Sequence, residues 1–131
     1  MSNSQTDRII SSKLIFSQDD INTFAEISGD NNPLHIDLEL AAKSRFGRTI
    51  CHGMLIYASI TELLANELPR TASVSQSLSF LNPVFANEEV SLVAEIMAAS
   101  PPAEGWQITT TITKLDGAVA CQSCTQLKNI N

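Results

Sequence analysis

A chain of 131 residues suits one domain, and at that length it buries roughly two-thirds of the surface its unfolded form exposes, so neither a disulfide framework nor a metal is needed to hold it. With 44% hydrophobic and 17% charged residues the composition is globular, and a net charge of −6 excludes a general nucleic-acid or anionic-membrane binder, since both need a basic face. The longest apolar run, around MLIYASI, is too short to span a bilayer, and the start MSNSQTDRIISSKLIF has no signal-peptide pattern, so the expectation is a cytoplasmic protein with one domain over 1–131 and a flexible N-terminus at 1–7.

Arg8 to Phe16 reads as a strand, with Ile10, Leu14 and Phe16 on alternate positions. Ser17 and Asp20 form the S-x-x-D of a capping box, which predicts a helix carrying Ile21, Phe24 and Ala25 and ending at Ser28-Gly29. Asp30 to Pro33 is predicted as a loop, and Asp37 as the cap of a short helix, LELAAKSRF, closed by Gly47. Gly53 precedes a long helix from Met54 to about Leu68, stopped by Pro69. Its apolar residues cover most of the circumference, which predicts burial on several sides.

Four strands follow, at Val74–Leu81, Val90–Met97, Trp106–Lys114 and Val119–Lys128, punctuated by Asn82-Pro83, Ser100-Pro101-Pro102 and the hairpin signal Asp116-Gly117. A run of helices followed by antiparallel strands implies an α+β fold, and a curved sheet wrapped round the apolar helix would bury that helix best. CQSC at 121–124 has redox or zinc spacing, but it sits in an alternating strand where positions i and i+3 face opposite ways, so it reads as ordinary strand sequence.

The chemistry concentrates in SGDNNPLHID, residues 28–37. Read as a bare turn, Asp30, Asn31 and Asn32 need only bond nearby backbone, and that reading is the stronger on these residues alone. Two features favour a site. Pro33 stiffens the loop, and His35 lies between Leu34 and Ile36, so the chain returns to an apolar setting at the imidazole. An acid and an imidazole held together could grip one water from two sides, as general acid–base catalysis requires.

In TICHGM, residues 49–54, Gly53 stands where the loop becomes the long helix, whose first N–H groups lack internal partners. A thioester carbonyl could approach there, or the glycine could serve close packing; the residues leave the two readings even. His52 reads as a packed residue that orients the loop, and no familiar metal-ligand spacing joins it to His35.

Phe24-Ala-Glu-Ile-Ser-Gly-Asp30-Asn-Asn32-Pro-Leu-His35, five further residues and Ala41 resemble the motif of the MaoC-like (R)-specific enoyl-CoA hydratases at every fixed position. The likeness continues in CHGML and in SQSLSFLNPVF at 75–85 and covers most of the chain. It implies the hot-dog fold and reversible hydration of a trans-2-enoyl-CoA to an (R)-3-hydroxyacyl-CoA. Asp30 and His35 match the catalytic pair, Gly53 the glycine whose N–H holds the thioester oxygen, and Asn32 a residue that holds the loop. Thr61 falls where some members carry a serine.

The resemblance implies no metal and no redox cofactor, CoA being part of the substrate, and a homodimer, which also suits the exposed edges of a single sheet. The alternatives are a thioesterase or acyl-carrier-protein dehydratase on the same fold, and a non-catalytic acyl-CoA-binding module. Positions 57, 60, 61 and 64 share one face of the long helix. Tyr57, about 6 Å along the axis from Gly53, is thus expected to limit short chains, with Leu64 as a more distant wall, about 16 Å along.

Overall fold

The computed structural model describes residues 8–99 and 104–130. The N-terminus expected to be flexible, at 1–7, and the Ser100-Pro101-Pro102 break lie outside the described residues.

The chain runs β1 (Arg8–Ile15), α1 (Gln18–Ser28), α2 (Pro33–Ile36), α3 (Leu38–Lys43), α4 (Gly53–Glu67), β2 (Thr71–Phe80), β3 (Glu89–Ala98), β4 (Gly105–Lys114) and β5 (Val119–Asn129). The strands form one antiparallel sheet in the order β1-β3-β4-β5-β2. This is the α+β hot-dog arrangement, with α4 as the long helix packed on the sheet. Ile56, Ile60 and Leu64 bring one face of α4 into a common core with Leu92, Ile96, Ile108 and Ile112, all buried. Fully burying each such side chain contributes about 1.5–3 kcal/mol.

Local chemistry sets the boundaries. Ser17 Oγ accepts the Asp20 N–H at 3.0 Å while Asp20 Oδ2 accepts the Ser17 N–H at 3.1 Å, so the capping box forms in both directions. At the other end Gly29 takes a left-handed φ of 81° and its N–H closes on Ala25 O. The Asp116-Gly117 turn joins β4 to β5, the Lys114 N–H bonding Ala118 O at 2.8 Å. Cys121 faces the core and Cys124 faces out, both as free thiols, as strand alternation requires.

Four expectations need correction. The segment from Pro33 is not a plain loop: Asn32 Oδ1 accepts the Leu34 N–H at 3.0 Å and caps the one-turn helix α2, with Pro33 at its first position. The next helix stops at Lys43 rather than Phe46, because Ser44 turns extended and its hydroxyl bonds back to Ala41 O. β2 starts at Thr71, ahead of Val74, because Arg70 takes φ 67° and turns the chain directly into a ladder with β5. Finally, α4 is buried on one face only. Met54, Ala58, Thr61 and Ala65 are exposed, since the sheet covers a single side of the helix. None of the described helices is long and apolar enough to cross a membrane.

Candidate active site

Asp30 follows the left-handed Gly29, and the Asn32 cap begins α2 just beyond it, so the acid is held between two helix ends. Its backbone is further fixed: the Asp30 N–H donates to Ser28 Oγ at 3.1 Å, and Asp30 O accepts from His52 Nε2 at 2.9 Å. The Asp30 side chain is 54% exposed. His35, on α2, is 13% exposed, and its Nε2 lies 4.0 Å from Asp30 Oδ2.

The opposite ring nitrogen fixes the tautomer. His35 Nδ1 is 2.8 Å from Ile50 O, and a carbonyl only accepts, so Nδ1 carries a hydrogen. Nε2 is left as the atom free to exchange a proton. The backbone carbonyl of His35 accepts from Gln18 Nε2 at 2.8 Å, and Gln18 is itself held by the Thr49 hydroxyl at 2.6 Å. The imidazole is therefore oriented by α1 and by the 49–50 segment together.

His52 is buried and stacks on His35 with ring centroids 3.8 Å apart. Phe24 meets it edge-on at 4.9 Å. Burial, the largest influence, pushes its pKa below the usual imidazole value, so a neutral ring lies beside His35. With Nε2–H donated to Asp30 O, its Nδ1 is a buried acceptor with no partner among the described residues.

Asp30, His35 and His52 each offer one ligand atom, all within 4.8 Å of one another, and could as a set meet a metal ion. The two rings, however, are stacked with centroids 3.8 Å apart. Two of the four ring nitrogens already bond backbone carbonyls. The arrangement suits a water between acid and imidazole better than a coordination sphere.

Gly53 is the first residue of α4, and the helical ladder begins only with the Leu55 and Ile56 N–H groups on His52 O. His35 and Gly53 border one cleft of about 360 Å³, with Phe46, Phe80 and Pro83 among its walls. Cys51 borders it too, and burial, aided by the Asp20 carboxylate, pushes that thiol up to about 12, so it stays protonated. A Cβ on Gly53 would meet the Phe80 ring at 3.0 Å. Gly53→Ala is accordingly expected to raise KM and lower kcat for an enoyl-CoA by forcing that ring into the cleft. Unchanged values of both would count against a close carbonyl contact there.

The structure thus brings Asp30, His35, Asn32 and Gly53 to one place. It sets Tyr57, Thr61 and Leu64 along a separate cavity of about 120 Å³ between α4 and β2. His52 is the packed, loop-orienting residue expected, through its bond to Asp30 O, and only its stacking on His35 was unforeseen; the Ile50 carbonyl that fixes the tautomer and the Phe80 ring over Gly53 escape sequence reading. Only the likeness of segment 75–85 pointed near Phe80.

A model of the MaoC like domain matches residues 3–116. The chain belongs to the MaoC-like family. This MaoC-like domain is 39% identical over 107 residues to an (R)-specific enoyl-CoA hydratase of Aeromonas caviae, covering 80% of each chain. It is 41% identical over 76 residues to a mitochondrial 3-hydroxyacyl-[acyl-carrier-protein] dehydratase of Arabidopsis thaliana, a match spanning 58% of this chain and 46% of that protein. Among solved structures, the (R)-hydratase of A. caviae involved in PHA biosynthesis superposes with a TM-score of 0.88 at 32% identity, covering 98% of this chain and 99% of that one.

Proposed function

We propose that this MaoC-like domain is an (R)-specific enoyl-CoA hydratase, adding water reversibly to a trans-2-enoyl-CoA to give an (R)-3-hydroxyacyl-CoA. The observation that carries the reading is His35 Nε2 facing Asp30 Oδ2 across 4.0 Å, beside a cleft that also reaches the free N–H end of α4 at Gly53. The A. caviae relatives support it.

The Gly53 N–H binds the thioester oxygen and draws electrons toward it, which makes C3 electrophilic. A water sits between Asp30 and His35. Its oxygen attacks C3 as Asp30 takes its proton, and the His35 imidazolium gives a proton from Nε2 to C2. Transfer of the proton from Asp30 back to Nε2 restores the pair. His35 donates from Nε2 alone, because Nδ1–H is held by Ile50 O. One water on one face gives syn addition and one hand of product. This reaction draws on no metal and no redox cofactor.

The Arabidopsis relative favours a second reading, dehydration of a thioester carried on an acyl-carrier protein. Crotonyl-CoA separates the readings. Loss of the enoyl absorbance with (R)-3-hydroxybutyryl-CoA as product supports the hydratase. Release of free thiol would indicate a thioesterase, and binding without turnover an acyl-CoA-binding module. Faster reaction of the same acyl group on a carrier protein would favour the dehydratase.

We further propose a cytoplasmic location and a homodimer. The open edge strand β2 exposes Val74 and Phe80, and the uncovered face of α4 exposes Met54, together a surface suited to a second copy. Arg45 lies over the Phe46 ring at the cleft wall and is the best placed of Arg45, Arg48 and Arg70 for a CoA phosphate, as Arg48 is spent on Ala86 O.

Tyr57 and Leu64 are the proposed limits of the acyl chain, with Thr61 between them. Leu64 is 3% exposed and belongs to the core, so Leu64→Ala should cost about 2–5 kcal/mol of stability. Tyr57 is only partly buried. Tyr57→Ala is expected to raise kcat/KM for eight-carbon relative to four-carbon enoyl-CoA more than Leu64→Ala does. An unchanged ratio in a destabilised Tyr57→Ala protein would reassign Tyr57 to the core.

A further inference from the structure

The inner face of the sheet is apolar through β3 and most of β4, where Val90, Leu92, Ile96, Ile108 and Ile112 are all buried. It changes character toward β2. Thr110 on β4 stands opposite Ser123 on β5, and two residues farther along β5, Thr125 stands opposite Gln76 on β2. Thr110, Ser123 and Thr125 are each 1–2% exposed.

This row is under-partnered. Thr110 Oγ1, Ser123 Oγ and Gln76 Nε2 are buried atoms with no hydrogen-bond partner among the described residues. Gln76 Oε1 accepts from the Thr125 hydroxyl at 2.9 Å. Turning the amide over would exchange which of its atoms is left unpaired, and one would remain so. Buried polar groups in folded proteins nearly always meet a partner, protein or water, and of these three side chains Gln76 lines a cavity where one can enter.

Gln76 and Thr125 face the cavity of about 120 Å³, with Ser73 and Thr71 beside them and Tyr57 and Thr61 across on α4. The cavity is separate from the cleft at Gly53 but lies farther along the same helix and strand, α4 and β2. Gly53 sits against Phe80 at one end, and at the other the Thr71 hydroxyl donates to Leu68 O at 2.7 Å. Numbers rise along α4 as they fall along β2, so the two run antiparallel with a seam between them. A chain leaving Gly53 along that seam passes Tyr57 and meets the Gln76 amide.

We propose that this cavity is a subsite for an acyl tail bearing a neutral oxygen, a hydroxyl or a keto group, and that Gln76, oriented by Thr125, selects it. The proposal rests on the hydratase reading and adds the substrate class. An all-carbon tail reaching this far would seal the amide away from any partner. A carboxylate tail would find no cation, since no charged residue lines the cavity. A hydroxyl both donates and accepts, so it satisfies the amide in either orientation.

The test compares kcat/KM for 2-octenoyl-CoA and its terminal-hydroxyl analogue, each normalised to crotonyl-CoA, whose chain is too short to reach the cavity. Wild type should favour the hydroxylated chain by about tenfold or more, because a site built to bond a hydroxyl rejects the analogue lacking it. Gln76→Leu should reverse the preference. Thr125→Val, which keeps the side-chain shape, should reduce it in the same direction and guards against misfolding of the first variant. Equal use of both chains by wild type, the result expected if ordered water alone fills the cavity, overturns the proposal, and so does a preference for the plain chain. Failure to turn over crotonyl-CoA instead removes the hydratase reading beneath it.

Discussion

Asp30→Ala and His35→Ala are each expected to lower kcat/KM for crotonyl-CoA by about 10²- to 10⁴-fold while the protein stays folded. The two carry different structural burdens. The Asp30 carboxylate is more than half exposed and its one local bond, from the Asn32 N–H to Oδ1, is long at 3.4 Å, so its removal should scarcely move Tm. His35 is mostly enclosed, and truncating it strips a donor from Ile50 O and a stacking partner from His52. A modest fall in Tm should therefore accompany His35→Ala. If both groups act on one water, the double variant should lose less than the product of the single losses. Near-wild-type turnover in either folded single variant would remove that residue from the chemistry.

Gly105→Ala should lower stability by about 2–4 kcal/mol, as a steric conflict fixed in backbone. Gly105 opens β4 at φ 145°, outside the range that side chains favour, and an added Cβ would fall on the Leu127 carbonyl oxygen with Lys128 Cα 2.7 Å away. Both obstacles are main chain in the paired strand, so relief requires the end of the β4–β5 ladder to open. Gly117→Ala is the control. Its φ of 92° is also positive, but nothing lies within 4 Å of the added methyl, so only the conformational penalty of about 1 kcal/mol applies. Thermal melts of the two variants should differ clearly, and equal Tm values would contradict the steric account.

Where structure is set by near neighbours in sequence, the sequence revealed it. The Ser17–Asp20 capping box, the Gly29 terminus, the Asp116-Gly117 turn and the alternation of β3 to β5 each depend on residues a few positions apart. Asp30, Asn32 and His35 stood out only through their match to the MaoC-like motif, because on their residues alone the bare-turn reading was the stronger. What stayed hidden depends on distant partners. Arg70 holds a positive φ although nothing in its own type requires it, and that shifts the start of β2. The α2 turn rests on one Asn32 bond in a stretch that also reads as loop. Apolar residues round α4 promised burial on several sides, yet one sheet in one chain has a single face to offer. The Ile50 carbonyl, fifteen positions from His35, and Phe80 over Gly53 are likewise fixed by the fold rather than by spacing.

β1 and β2 occupy opposite margins of the sheet, so residues 16–70 form a single strap that crosses from one margin to the other and carries Asp30, His35 and Gly53. The entropic cost of closing a loop grows only logarithmically, by about 0.6 kcal/mol for each doubling of its length. A residue more or fewer in the loops of this strap, outside its core helix α4, would thus leave the sheet nearly as stable as before. The same change would carry the acid away from the imidazole, because the short span between the Gly29 and Asn32 caps has no slack. Length in this segment is thermodynamically cheap for the fold and costly for the chemistry, so indels here would be screened by activity long before they were screened by folding.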